Sequence, residues 1–106
     1  KLIDYLNALQ VDHIVMETAH RPPGELAVFK ELRKDIGFGL GVVDIKRTEI
    51  ETPEQVARRI ERAQDILGAG RITYVHPDCG FWMLKRSVAD AKMHALVEGR
   101  DRYLGR

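Results

Sequence analysis

Phe38-Gly39-Leu40-Gly41-Val42-Val43 is a short apolar run that reads as a buried β-strand. Its glycines weaken such a strand in isolation but let neighbouring backbone pack close. Asp44-Ile45-Lys46 follows, and then Thr52-Pro53-Glu54-Gln55, which carries the signals of a helix start. Thr52 can cap, Pro53 suits the first helical position, and Gln55 completes a capping box. Val56, Ile60, Ala63 and Leu67 line up on one apolar face, and Gly68 and Gly70 stop the helix.

The same grammar extends in both directions. Upstream, Leu2, Leu6 and Leu9 recur at helical spacing, and His13-Ile14-Val15-Met16 reads as another buried strand. Arg21-Pro22-Pro23-Gly24 breaks the chain; Leu26, Phe29 and Leu32 then restart a helical pattern that Gly37 is expected to end. Downstream, Ile72-Thr73-Tyr74-Val75 predicts a third strand. A last helix is expected from near Ser87, with Asp90 three residues on, toward Glu98. The order α-β-α-β-α-β-α implies a parallel sheet with right-handed crossovers. A (β/α)8 barrel takes about 250 residues, so the chain holds roughly three of eight such units. Such a sheet leaves both edges unpaired, and copies are expected to form a homo-oligomer through them. The apolar cluster Phe81-Trp82-Met83-Leu84 is a candidate for core or for that contact.

Composition narrows the functional classes. The chain has 106 residues, of which 44% are hydrophobic, enough for a core and unlike a disordered chain. With 17 Lys and Arg against 16 Asp and Glu, the net charge of +1 gives no electrostatic reason for a nucleic-acid partner. No apolar run is long enough for a membrane span, and no basic-then-apolar leader opens the chain. The single cysteine cannot form an internal disulfide, which fits a reducing cytoplasm.

In parallel α/β folds chemistry collects at the carboxyl ends of the strands. Glu17-Thr18 follows the first predicted strand, Asp44-Ile45-Lys46 the second, and His76-Pro77-Asp78-Cys79-Gly80 the third. Each strand thus delivers ionisable groups to one rim. A free cysteine often packs as a small hydrophobe, but Pro77 and Gly80 place Cys79 in a turn, and thiolate is a ligand that zinc prefers. Glu17 is either a surface carboxylate, a partner for Arg21, or an oxygen ligand. Asp44 and Lys46 either pair with each other or serve a site. His13 reads as structural, and His76 lies nearest the rim. No CxxC or HExxH spacing is present.

These segments resemble the C-terminal end of the cobalamin-independent methionine synthase family. The matching stretches are Ile14-Val15-Met16-Glu17-Thr18, Gly39-Leu40-Gly41-Val42-Val43-Asp44-Ile45-Lys46 and Val75-His76-Pro77-Asp78-Cys79-Gly80. Gly80-Phe81-Trp82-Met83-Leu84-Lys85-Arg86-Ser87 looks most like the "methionine synthase II" branch, which also contains enzymes that open epoxides with coenzyme M. The resemblance implies the last part of a (β/α)8 barrel whose whole length, residues 1–106, belongs to one catalytic domain. It implies a zinc ion held by Glu17 and Cys79 together with a His and a Cys of an earlier His-x-Cys motif. It also implies methyl or alkyl transfer to a small thiol, homocysteine with a methyltetrahydrofolate donor in the methionine synthases. Two positions depart from that pattern. Lys46 stands where the synthases usually carry a histidine associated with proton delivery, and could donate a proton or bind an anionic group. His76 stands where they often have Asn. Asp44, His76 and Asp78 are candidates for substrate contact or for support behind the ligands. With two ligands, the chain alone is expected to be inert.

Overall fold

A computed structural model describes residues 2–106. Three parallel strands form one sheet in the order β1-β2-β3: β1 spans His13–Glu17, β2 Gly37–Val43 and β3 Ile72–Pro77. Helix α1 (Leu2–Ala8) precedes β1, a 3-10 helix (Pro23–Glu31) joins β1 to β2, α2 (Pro53–Leu67) joins β2 to β3, and α3 (Arg86–Tyr103) follows β3. Among the described residues, no helix is long and apolar enough to cross a membrane.

The central strand is buried along its whole length, and its two faces differ. Phe38, Leu40 and Val42 enter a core with Leu26, Phe29 and Leu32 of the 3-10 segment, with Val56, Ile60, Ala63 and Leu67 of α2, and with Leu96 of α3. Each of the larger side chains, Ala63 excepted, contributes about 1.5–3 kcal/mol of transfer free energy when fully buried. The intervening positions are Gly37, Gly39 and Gly41. A methyl group at any of them would collide with side chains reaching in from the flanking strands or the turn after β3: Thr73 over Gly37, Val15 over Gly39, and Asp78 over Gly41. The glycines therefore set how closely the edge strands close over this face.

Helix α2 forms as its sequence predicts. Thr52 Oγ1 accepts a hydrogen bond from the Gln55 amide at 3.1 Å, and the Thr52 amide donates to Gln55 Oε1 at 2.9 Å. Gly68, at φ 101°, ends the helix in a conformation that side chains with a Cβ avoid. Helix α3 packs against α2 at Gly99, where a methyl group would run into Val56.

Other boundaries move. Gly37 does not end a helix: the 3-10 turn stops at Leu32 (φ −63°, ψ 147°), and Gly37 opens β2. Strand β1 takes in Glu17, and β3 runs through His76 and Pro77; a proline is tolerated there because β3 is an edge strand. Helix α1 stops before Leu9 and buries no residue fully. Helix α3 starts at Arg86 without a side-chain cap and continues past Glu98 to Tyr103. The cluster at residues 81–84 splits: Phe81 packs against the core, whereas Trp82 and Met83 are 83% and 74% exposed.

Candidate functional site

Because the strands are parallel, their carboxyl ends meet at one edge of the sheet. The register aligns Glu17 with Gly41 and Gly41 with His76. Glu17 closes β1 with its side chain exposed, Asp44 follows β2 and is buried, and Asp78-Cys79 follows β3 with Cys79 exposed. Exposure of Cys79 removes the reading of a small core hydrophobe. Arg21 pairs with Glu25 at 3.2 Å, so the salt bridge considered for Glu17 goes elsewhere.

Asp78 ties the first and third strand ends together. Its Oδ1 accepts hydrogen bonds from the amides of Thr18 and Ala19, both at 3.2 Å. The carboxylate reaches them across Gly41, where an ideal Cβ would lie 2.6 Å from Oδ1. The Thr18 hydroxyl donates to the Gly41 carbonyl, and the Asp78 amide donates to the Val43 carbonyl at 2.9 Å. Burial pushes the Asp78 carboxyl above its ordinary pKa, and the nearby charge of Glu17 adds to the rise; the two loop amides and His20 oppose it. Glu17 and Cys79 are thereby borne on two segments that one carboxylate clasps.

Asp44 ties in the second. Its Oδ1 lies 2.6 Å from His20 Nε2 and accepts from the Lys46 amide at 2.7 Å, while Arg47 approaches Oδ2 at 3.9 Å. Burial works to raise the pKa of Asp44, but the Lys46 amide and His20 outweigh it and hold the carboxyl below its ordinary value. The Asp44 amide donates to Glu51 Oε2 at 2.7 Å. Glu51 Oε1 accepts from Lys92 Nζ at 2.8 Å, and the same fully buried ammonium donates to the Glu49 carbonyl at 2.7 Å. Arg59 Nη1 donates to the Val42 carbonyl at 2.6 Å and lies 3.3 Å from Glu51 Oε2. Burial opposes ionisation of Glu51 too, yet Lys92 and the Asp44 amide hold its pKa down.

The remaining candidates fall differently. Lys46 bonds Asp44 through its backbone amide, and its exposed ammonium forms no ion pair among the described residues. His76 donates from Nδ1 to the Pro77 carbonyl at 2.6 Å. Its Nε2 is buried without a partner among the described residues and lies 3.3 Å from where a Gly39 Cβ would be, one pleat below the rim. His13 packs against Tyr74 with ring centroids 4.8 Å apart and the planes tilted by 52°, a structural role. Among the described residues, no group of three or more His, Cys, Asp and Glu is placed to hold a metal. Glu17 and Cys79 carry oxygen and sulfur donors of the kind zinc takes, two where a structural or catalytic zinc site has three or four from protein. A cavity of about 530 Å³ opens beside the β1 end, lined by Met16, Glu17, Ala19, Arg21, Leu26 and Phe29 among others.

His20, Glu51, Arg59 and Lys92 escape the sequence reading. His20 has no histidine partner at helical spacing and sits past a strand end. Lys92 had a usable signal: it shares a helix face with Val88, Ala95, Leu96 and Gly99, so a lysine there must find a buried anion.

The sequence and the fold are similar to those of known proteins. The sequence profile of the family described as "Cobalamin-independent synthase, Catalytic domain" matches residues 1–101. A methionine synthase of Thermococcus kodakarensis is 34% identical over 99 residues, covering 92% of this chain and 29% of that protein. A 2-hydroxypropyl-CoM lyase of Xanthobacter autotrophicus is 46% identical over 68 residues, covering 64% of this chain and 18% of that protein. A solved B12-independent methionine synthase from Shewanella sp. W3-18-1, in complex with selenomethionine, superposes with a TM-score of 0.77 at 24% identity, covering 99% of this chain and 31% of that one. The chain thus spans less than a third of the length of these relatives. Its fold is that of consecutive βα units of a (β/α)8 barrel.

Proposed function

The chain belongs to the cobalamin-independent synthase catalytic-domain family, and from that premise we propose that it forms the closing part of a barrel enzyme that alkylates a small thiol. The reading carries homocysteine as the thiol and a methyltetrahydrofolate as the methyl donor. The observation behind it is the rim on which Glu17, Asp44 and Asp78-Cys79 end three parallel strands, with Asp78 clasping the loop that follows Glu17.

Glu17 and Cys79 would hold a zinc ion, completed by ligands from outside the chain. When bound, zinc lowers the pKa of a thiol and so supplies a nucleophile at neutral pH. The other work falls to this chain's residues. Asp78 keeps the segments bearing Glu17 and Cys79 in fixed relation. Asp44 orders the loop in which Lys46 projects into solvent, where its ammonium can receive an anionic group of the alkyl donor. His76 supports the β3 end from below.

The second reading is epoxide opening by coenzyme M. It is favoured by the 46% identity to the 2-hydroxypropyl-CoM lyase and by Lys46, a cation suited to an anionic substrate group. The test uses the full-length protein. Metal analysis should find about one zinc per chain and little after Cys79→Ser. Methyl transfer to homocysteine separates the first reading from the second, which requires an epoxide and coenzyme M. Wild-type zinc content in Cys79→Ser would sink the metal assignment. Residues 1–106 alone should be inactive, because two ligands leave the site incomplete; methyl transfer by them would refute that.

A further inference from the structure

His20 is more fully oriented than a loop histidine needs to be. Asp44, which in its ionised form can only accept, lies 2.6 Å from Nε2, so the neutral ring carries its proton on Nε2 and keeps its lone pair on Nδ1. Nδ1 has no partner among the described residues, and the side chain is 41% exposed. The carboxylate that orients it is itself held: the Lys46 amide binds its side chain, and Glu51 binds its backbone amide with the buried Lys92 behind. On the other side, Asp78 binds the amides of Thr18 and Ala19, the two residues directly before His20. The ring is thus set by two strand ends, and it lies close enough to Asp78, the neighbour of Cys79, for its charge to act on that carboxyl. A base held by an orienting carboxylate, with its second nitrogen free, is the arrangement of a general acid–base. Lys46 lacks any such support.

We propose that His20 is the proton carrier of the alkyl transfer, with Asp44 as its positioning residue. This rests on the thiol-alkylating reading above. As the thiol S–H bond breaks, its electron pair stays on sulfur and the proton goes to Nδ1. Sulfur then forms a bond to the electrophilic carbon of the donor. The bond from that carbon to its heteroatom breaks, the pair leaves on the heteroatom, and Nδ1–H returns the proton there. One proton is taken and one delivered, whether the heteroatom is a folate nitrogen or an epoxide oxygen. The charged groups that face the ring are Asp44 from the β2 end, with Arg47 on its other oxygen, and Asp78 from the β3 end, with Glu17 acting on Asp78 in turn.

The test compares full-length wild type with His20→Ala and Asp44→Asn. Both reactions, homocysteine with methyltetrahydrofolate and coenzyme M with an epoxide, are followed across the near-neutral pH range. The expected result for His20→Ala is a fall in kcat of about 100-fold or more, KM nearly unchanged, a flattened pH profile, and partial recovery with added imidazole. Zinc content should stay at the wild-type value and the variant should remain folded, its thermal unfolding lowered only by the lost bond to Asp44. Asp44→Asn should lower kcat and move the pH profile. Unchanged kcat in His20→Ala overturns the proposal. So does a loss that imidazole does not relieve and that tracks lost zinc or lost folding. Wild type inactive in both reactions overturns the thiol-alkylating reading along with it, whereas active wild type with indifferent His20→Ala overturns this proposal alone.

Discussion

The Asp78 carboxylate occupies the space that a side chain on Gly41 would need: its Oδ1 is 2.6 Å from the ideal Cβ position. Through that gap it reaches the amides of Thr18 and Ala19. Gly41→Ala should therefore push Asp78 away and leave two part-buried amides short of an acceptor. The expected cost is about 1–3 kcal/mol, read by denaturant unfolding, with zinc content falling alongside it. An alanine variant of wild-type stability would show that the clasp yields without loss.

The buried ion pair between Lys92 and Glu51 anchors the loop after β2. Lys92→Met removes the cation and leaves Glu51 buried, with Arg59 as its remaining cationic partner. A loss of about 3–5 kcal/mol is expected, measured by chemical denaturation. A much smaller loss would mean that Arg59 compensates.

Acid should weaken the fold through Asp44 and Glu51. Both have folded pKa values held below their ordinary 3.8 and 4.5. Their stabilisation is thus fully present above those values and is lost as pH falls through the lowered folded ones. Asp78 has the opposite sign: its raised folded pKa makes its ionisation a burden once pH rises past the ordinary carboxylate range. Asp44→Asn and Glu51→Gln should each flatten the acid limb of a stability–pH curve, and Asp78→Asn should not. Identical acid limbs in all variants would assign acid sensitivity elsewhere.

Strands β1 and β3 are both edges, and Trp82 and Met83 stand in solvent. We expect residues 1–106, as an isolated chain, to self-associate through these edges. Light scattering should show a mass above that of one chain, decreasing on dilution. A monomer stable at all concentrations would count against it.

Much of this molecule is local in origin and was therefore open to a reader of the sequence. Thr52 and Gln55 cap α2 by bonds across three residues, and Val56, Ile60, Ala63 and Leu67 share a face by helical periodicity alone. The apolar runs around Val15, Leu40 and Val75 named the strands. The Pro77-Asp78-Cys79-Gly80 stretch named the family and the rim. What the tertiary structure decided is every relation across long sequence distance. Asp78 meets Thr18 over a separation of 60 residues and Lys92 meets Glu51 over 41, and no periodicity encodes either. The alternating glycines of β2 could be seen in the sequence, but only the register shows which side chains fill the space above them. The same holds for His20: on paper it is a loop histidine beyond a strand end, and only sheet pairing brings the Asp44 carboxylate to its Nε2.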